Sequence, residues 1–172
     1  AANTDITGFT FKDKAANFAG VMTDLIAAET AGTLTGISMS DQGTMTLTSA
    51  TYQAAQDVVD MIRANNGGAA NNSFGIALTN VTVADLTATG FSGGDGTNWD
   101  RVKQVSITDT TAHIQDQVNG DLEDLATADK LQRINQSDAA GGRPAVEVVA
   151  TASFAATSAA MEALVTLAAC SS

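Results

Sequence analysis

A chain of 172 residues can bury one sizeable core or carry two small repeat units, so internal similarity rather than length decides its organisation. Eight basic residues against 19 acidic ones leave a net charge of -11, which repels phosphate backbones and anionic headgroups and excludes nucleic acid and acidic membranes as expected partners. One cysteine, Cys170, allows neither an intramolecular disulfide nor a Cys-based zinc site, and no apolar run approaches the roughly 18–20 residues that span a bilayer.

The first phrase is ITGFTFKD (Ile6–Asp13), in which Phe9 and Phe11 alternate with small or polar residues, the period of a strand with one buried face. Ala15, Phe18, Met22, Leu25 and Ile26 then follow helical spacing, and Asp13 sits where an N-cap belongs. LTGISMSD (Leu34–Asp41) repeats the strand phrase with Ile37 and Met39. A glycine-bearing turn leads to a second strand, Met45–Thr48, and Ala55, Val58, Val59 and Ile62 predict a helix. After the loop RANNGGAANNS (Arg63–Ser73) comes SFGIALTN (Ser73–Asn80), with Ile76 and Leu78 as the apolar pair and Asn80 as a cap for the short VTVADL segment. A second irregular loop, GFSGGDGTNWD (Gly90–Asp100), precedes VKQVSITD (Val102–Asp109), where Val105 and Ile107 alternate. Ile114, Val118, Leu122 and Leu125 predict one helix, with Asp109 at its start. LQRINQSD (Leu131–Asp138) carries Ile134, while Gln136 breaks the alternation. Ala145–Val149 reads as a strand, and Phe154, Met161, Leu164, Val165 and Ala168 as a last helix.

The order strand, helix, strand, strand, helix thus occurs twice. Phe9 matches Val105 at an offset of 96 and Ile37 matches Ile134 at 97, while successive phrases are spaced by 28, 39, 29 and 29 residues. Short β–α periods of this kind belong to quasi-one-dimensional stacks. The expected fold is therefore α/β and solenoid-like, with the phrases stacked in one sheet and helices covering one face. Two packed α+β lobes are the alternative. The repeat units are placed at residues 1–89 and 90–172, in tandem on one continuous core.

At SITDTTAHIQDQV (106–118) the chain resembles large secreted bacterial surface proteins, the β-strand-repeat or RTX-associated group, whose units are built on V-S-V-x-D-T-A-x-x-I, a Leu-rich helix, K-L-x-x-I-x-x-x-D and T-L-T-L-T. The matching pieces are Val105–Asp109, Thr110–Ile114, Leu122–Leu125, Lys130–Asp138, Thr44–Thr48 and GIALTNVTVADL (75–86). The resemblance covers most of the chain with short, degenerate motifs. It implies an extracellular protein of cell surfaces, matrices or biofilms. The chain departs from the group in being short and holding two copies, which suits a small subunit that repeats by assembling with itself.

Several candidate sites are weighed against simpler readings. Asp95, Asn98 and Asp100 offer oxygen ligands for calcium, the one candidate cofactor. Gly93, Gly94 and Gly96 match the RTX nonapeptide, but Asn98 replaces its Asp, Asp100 occupies its apolar position and no second copy follows, so a solvated loop is the better reading. Asp13, Asp41, Asp109 and Asp138 recur at equivalent positions, as a ligand ladder or, more simply, as helix and turn caps. His113 is the sole histidine and marks no triad, and nineteen acids assign no glycosidase pair. Thr10/Lys12, Ser38/Ser40, Ala77/Thr79, Ser106/Thr108 and Asn135/Ser137 would line an outward hydroxyl face.

These readings converge on a non-enzymatic structural protein, extracellular or at the cell surface, that forms a homo-oligomer or polymer. Uncapped strand edges expose backbone groups and apolar side chains that another copy can cover. The expected assembly interface comprises Ile6, Phe9, Phe11, Ile134, Gln136 and Cys170, the last either buried or paired between molecules. An adhesin-like module holding surface or matrix polysaccharide, with calcium as a rigidifier, is the second expectation.

Overall fold

Alternating apolar residues become strands and helically spaced ones become their cover, giving an α/β chain. The computed structural model describes residues 7–65, 74–86, 98–117, 120–138 and 148–149. In order these form β1 (Phe9–Asp13), α1 (Ala15–Thr30), β2 (Leu34–Met39), β3 (Thr44–Thr48), α2 (Ser49–Ala54), α3 (Gln56–Asn65), β4 (Gly75–Val81), α4 (Val83–Leu86), a 3-10 turn (Asn98–Arg101), β5 (Val102–Asp109), α5 (Thr111–Asp116), α6 (Asp121–Thr127), β6 (Leu131–Gln136) and β7 (Val148–Val149).

The five phrases do not share one sheet. β1 and β2 form a parallel pair of their own, while β3, β4, β5, β6 and β7 form a second sheet in that order, parallel except for the antiparallel β6–β7 pair. The bend between β2 and β3 causes the split. Asp41 Oδ1 accepts hydrogen bonds from Ala15 N at 2.9 Å and from Gly43 N at 3.4 Å, drawing the chain against the start of α1. A Cβ at Gly43 would lie 3.0 Å from that of Ala15, so only glycine passes there without displacing the helix. The redirected chain then pairs with β4, beginning with Gly75 N donating to Gly43 O at 3.1 Å.

The apolar stripes anticipated on the helices are the buried ones. Phe18, Met22 and Leu25 of α1, Val58, Val59 and Ile62 of α3, Ile114 of α5 and Leu122 and Leu125 of α6 join the inward strand residues in one core that runs through both halves. The single helix expected over Ile114–Leu125 is two helices, because the first ends at Gln117 and the second starts after Gly120. Val118 lies outside the described residues, as do the expected Phe154–Ala168 helix and all of Ala145–Val149 but its last two residues.

β1–β2 and β5–β6 are laid out alike. Phe11 faces Ile37 as Ile107 faces Ile134, and both pairs shift register after their first residue, between Phe9 and Thr10 and between Val105 and Ser106. The intervening helices also stop alike. Gly32, with φ +69°, donates to Glu29 O while Thr33 N reaches Ala28 O. Asp129, with φ +55°, donates to Ala126 O while Lys130 N reaches Leu125 O. Both are Schellman caps, and the second holds an aspartate where the left-handed backbone favours glycine. The hydroxyl face is interrupted: Ala77 is buried, and Ser106 and Thr108 bond laterally to Gln132 and Asn135.

Two stability measurements check this packing. Ile107→Ala, at a residue with no exposure, is expected to cost about 2–5 kcal/mol in urea unfolding. Asp129→Gly is expected to stabilise the chain by up to about 1 kcal/mol.

Candidate functional site

Three of the four recurring aspartates, Asp41, Asp109 and Asp138, reach across strands to another segment of the chain. Asp13 pairs with Met39, Val81 with Ile107 and Asp109 with Gln136, so Asp41, Asp109 and Asp138 each lie two residues beyond the last pair. There each meets the start of the helix that follows the preceding strand. Asp41 Oδ1 accepts from Ala15 N at 2.9 Å, Asp109 Oδ2 from Val83 N at 2.8 Å, and Asp138 Oδ1 from Thr111 N and Thr111 Oγ1, both at 2.8 Å. The first amides of a helix lack intrahelical acceptors and carry the positive end of its dipole, so a carboxylate is the fitting partner. Each aspartate thereby ties its own strand to the preceding helix.

The expected self-capping roles change accordingly. The N-cap of α1 is Lys14, with no side-chain cap, and that of α5 is Thr110, whose hydroxyl accepts from His113 N. Asp13 and Asp109 stand one residue earlier, and each accepts from the next amide, Lys14 N and Thr110 N, at 2.7 Å. Nor does Asn80 cap α4. It is the next-to-last residue of β4, with φ +54°, while Thr82 and Asp85 close a reciprocal box, Asp85 N donating to Thr82 Oγ1 and Thr82 N to Asp85 Oδ2.

Asp13 and Asp109 occupy equivalent places with different upstream neighbours. Asp13 binds Asn17 Nδ2 at 2.8 Å, and Asp109 correspondingly meets His113 Nδ1 at 2.8 Å. Asp109 also spans to Val83 beneath β4, and is 8% exposed. β1 pairs with β2 on one edge, and among the described residues no strand lies on the other. Phe9 is consequently 39% exposed, whereas its counterpart Val105 is fully buried under β4. Burial by itself would raise the pKa of Asp109, but the Val83 amide, the His113 ring and the Thr110 amide outweigh it and hold the carboxyl below its ordinary range. Asp138 is lowered by the Thr111 amide and hydroxyl, and Asp13 by Asn17 and the Lys14 amide.

The other expected interface residues are dispersed. Phe11 is half-buried, edge-on to Phe18 with ring centroids 5.6 Å apart, Ile134 is buried and Gln136 half-buried beside Asp109. Ile6 and Cys170 lie outside the described residues.

Of the calcium candidates, Asp95 lies outside the described residues, while Asn98 and Asp100 belong to the 3-10 turn. The Asp100 carboxylate faces guanidinium groups, with Arg63 Nη2 and Arg101 Nε each 3.4 Å away, so its charge is already met by cations of the protein. Among the described residues no three His, Cys, Asp or Glu side chains gather as a metal site. Sequence reasoning missed Arg101, which is buried and lies over the Phe74 ring at 5.4 Å, and Lys130, whose Nζ sits 4.4 Å from the Trp99 ring centre and donates to Trp99 O at 2.9 Å. Neither contact leaves a periodic trace. Beside Lys130, a recess of about 280 Å³ is lined by Leu86, Trp99, Asp121, Asp124, Leu125 and Ala128. Burial, with Lys103 nearby, lowers the pKa of Lys130.

Comparison with protein-family models, curated proteins and solved structures finds no match to the chain.

Removing the Asp109 carboxylate strands the Val83 amide, so Asp109→Ala is expected to cost about 1–3 kcal/mol in urea unfolding at pH 7. Because its folded pKa is depressed, the contribution of Asp109 is complete above the unfolded value of about 3.9 and is lost as pH falls through the folded value. Asp109→Asn is therefore expected to lose less stability than the parent between about pH 4.5 and 2. Equal acid losses would count against the clamp.

Proposed function

We propose that this protein is a non-enzymatic structural subunit, extracellular or on a bacterial surface, that associates with itself into a filament, sheet or layer. One observation carries the reading: among the described residues β1 has an open outer edge with Phe9 exposed, at a position where its counterpart β5 is covered by β4. A parallel strand edge of this kind presents unpaired amides and carbonyls together with apolar surface, both of which another strand satisfies. The acidic composition and the resemblance to secreted surface proteins support the location, and the net charge of -11 argues against nucleic acid as a partner. No helix among the described residues is long and apolar enough to cross a membrane. In this reading Asp109 and His113 serve the fold.

A second reading, an adhesin-like module for surface or matrix polysaccharide, is supported by the recess beside Trp99, where an aromatic ring adjoins Asp121 and Asp124. Calcium as a rigidifier belongs to that reading. It requires the melting temperature to rise on calcium titration, and an unchanged melt removes the metal.

Sedimentation and negative-stain microscopy test the first reading. Oligomers that grow with concentration are expected, and Phe9→Lys, which puts a charge on an already exposed position, is expected to keep the fold and abolish them. A wild-type protein that stays monomeric at high concentration overturns the proposal.

A further inference from the structure

We propose that Lys130 and the recess beside it form a capture site for small aldehydes with an apolar body, which are held as an imine on Nζ. The site stands apart from self-association and from glycan binding. Its geometry begins with how the lysine is fixed. Lys130 N donates to Leu125 O at 2.9 Å in the cap of α6, and Lys130 O accepts from Val105 N at 2.7 Å where the β5–β6 pairing starts, so the backbone is held on both sides. The side chain is held at its tip as well, with Nζ 4.4 Å from the Trp99 ring centre and donating to Trp99 O at 2.9 Å. An amine fixed at the root and the tip of its chain loses little further freedom on reacting.

The recess supplies what a carbonyl compound needs besides the amine. Leu86 and Leu125 are buried in its wall with the Trp99 ring, and Asp124 and Ala128 are exposed, so it opens to solvent. Its volume of about 280 Å³ lies just below the roughly 300–1,000 Å³ of drug-sized sites, which suits a single ring or a short chain. The Asp121 and Asp124 carboxylates in the lining disfavour an anionic ligand. Burial lowers the pKa of Lys130 and Lys103 adds to this, while Asp100 and the Trp99 face, which attracts the ammonium form, oppose it. The neutral amine is the nucleophile, so a lysine desolvated at an apolar wall is the fitting one. Its lone pair adds to the carbonyl carbon, and one N–H proton passes through water to the former carbonyl oxygen. That oxygen then leaves as water, the second N–H proton is lost, and the C=N bond forms with nothing oxidised or reduced.

Reductive trapping on the whole chain tests the site. Benzaldehyde with cyanoborohydride at pH 7, followed by peptide mapping, is expected to modify Lys130 about tenfold faster than the exposed Lys12, Lys14 and Lys103, a modest share of what positioning a reactant can supply. Formaldehyde, which has no apolar body to bury in the recess, is expected to show about threefold less preference. Trp99 is the sole tryptophan, so its fluorescence reads the same event, with a saturable quench by benzaldehyde that Lys130→Arg removes. Ala128→Leu, at an exposed position on the recess, narrows it and is expected to lower the benzaldehyde-to-formaldehyde ratio at Lys130 about threefold. Lys130 modified by benzaldehyde no faster than Lys12 and Lys14, or an equal preference with both aldehydes, overturns the proposal. Neither result touches self-association.

Discussion

A two-residue stagger between neighbouring parallel strands organises this molecule. It carries three aspartates past the last strand pair and onto the first free amide of the previous helix, Asp41 to Ala15, Asp109 to Val83 and Asp138 to Thr111. A carboxylate at that point satisfies a donor that the helix cannot satisfy itself and meets the positive end of the dipole. Sheet pairing and helix capping are thereby coupled, because slipping the register by one residue would withdraw the carboxylate and also turn the apolar face outward.

This coupling makes the N-terminal edge the informative one. Asp13 retains the local contacts of its counterpart Asp109, to the following amide and to the residue four positions on, but lacks an upstream helix among the described residues. The same asymmetry accounts for Phe9. The residue is of the core type, and what differs from Val105 is the presence of β4. An edge with both the polar and the apolar half of a junction exposed is the physical basis for the proposed assembly.

Strands and helices were legible because their side chains alternate or recur at 3.6 residues, and the buried residues of α1 and α3 are those the spacing singles out. The recurrence of Asp was equally legible, but its partner was not. A local reading assigns Asp13 to the helix beside it, whereas the amide that Asp109 satisfies at Val83 is 26 residues away, and the stagger is a property of two strands together. The sheet division was hidden for a similar reason: Gly43 marks a turn, but only its approach to Ala15 shows that β3 is turned towards β4. The Arg63–Asp100 pair joins two segments that read as irregular loops, 37 residues apart, with no periodicity to link them.

The most direct test of the account follows the amide resonances of Val83 and Thr111 by NMR as the pH is lowered in the folded protein. Both are expected to shift with midpoints below the ordinary carboxylate value of about 3.9, each following its clamp, Asp109 for Val83 and Asp138 for Thr111. Asp109→Asn is expected to silence the low-pH shift at Val83 alone. If Val83 and Thr111 titrate unchanged when Asp109 and Asp138 are each replaced by Asn, the clamps do not exist, and the cross-strand account fails.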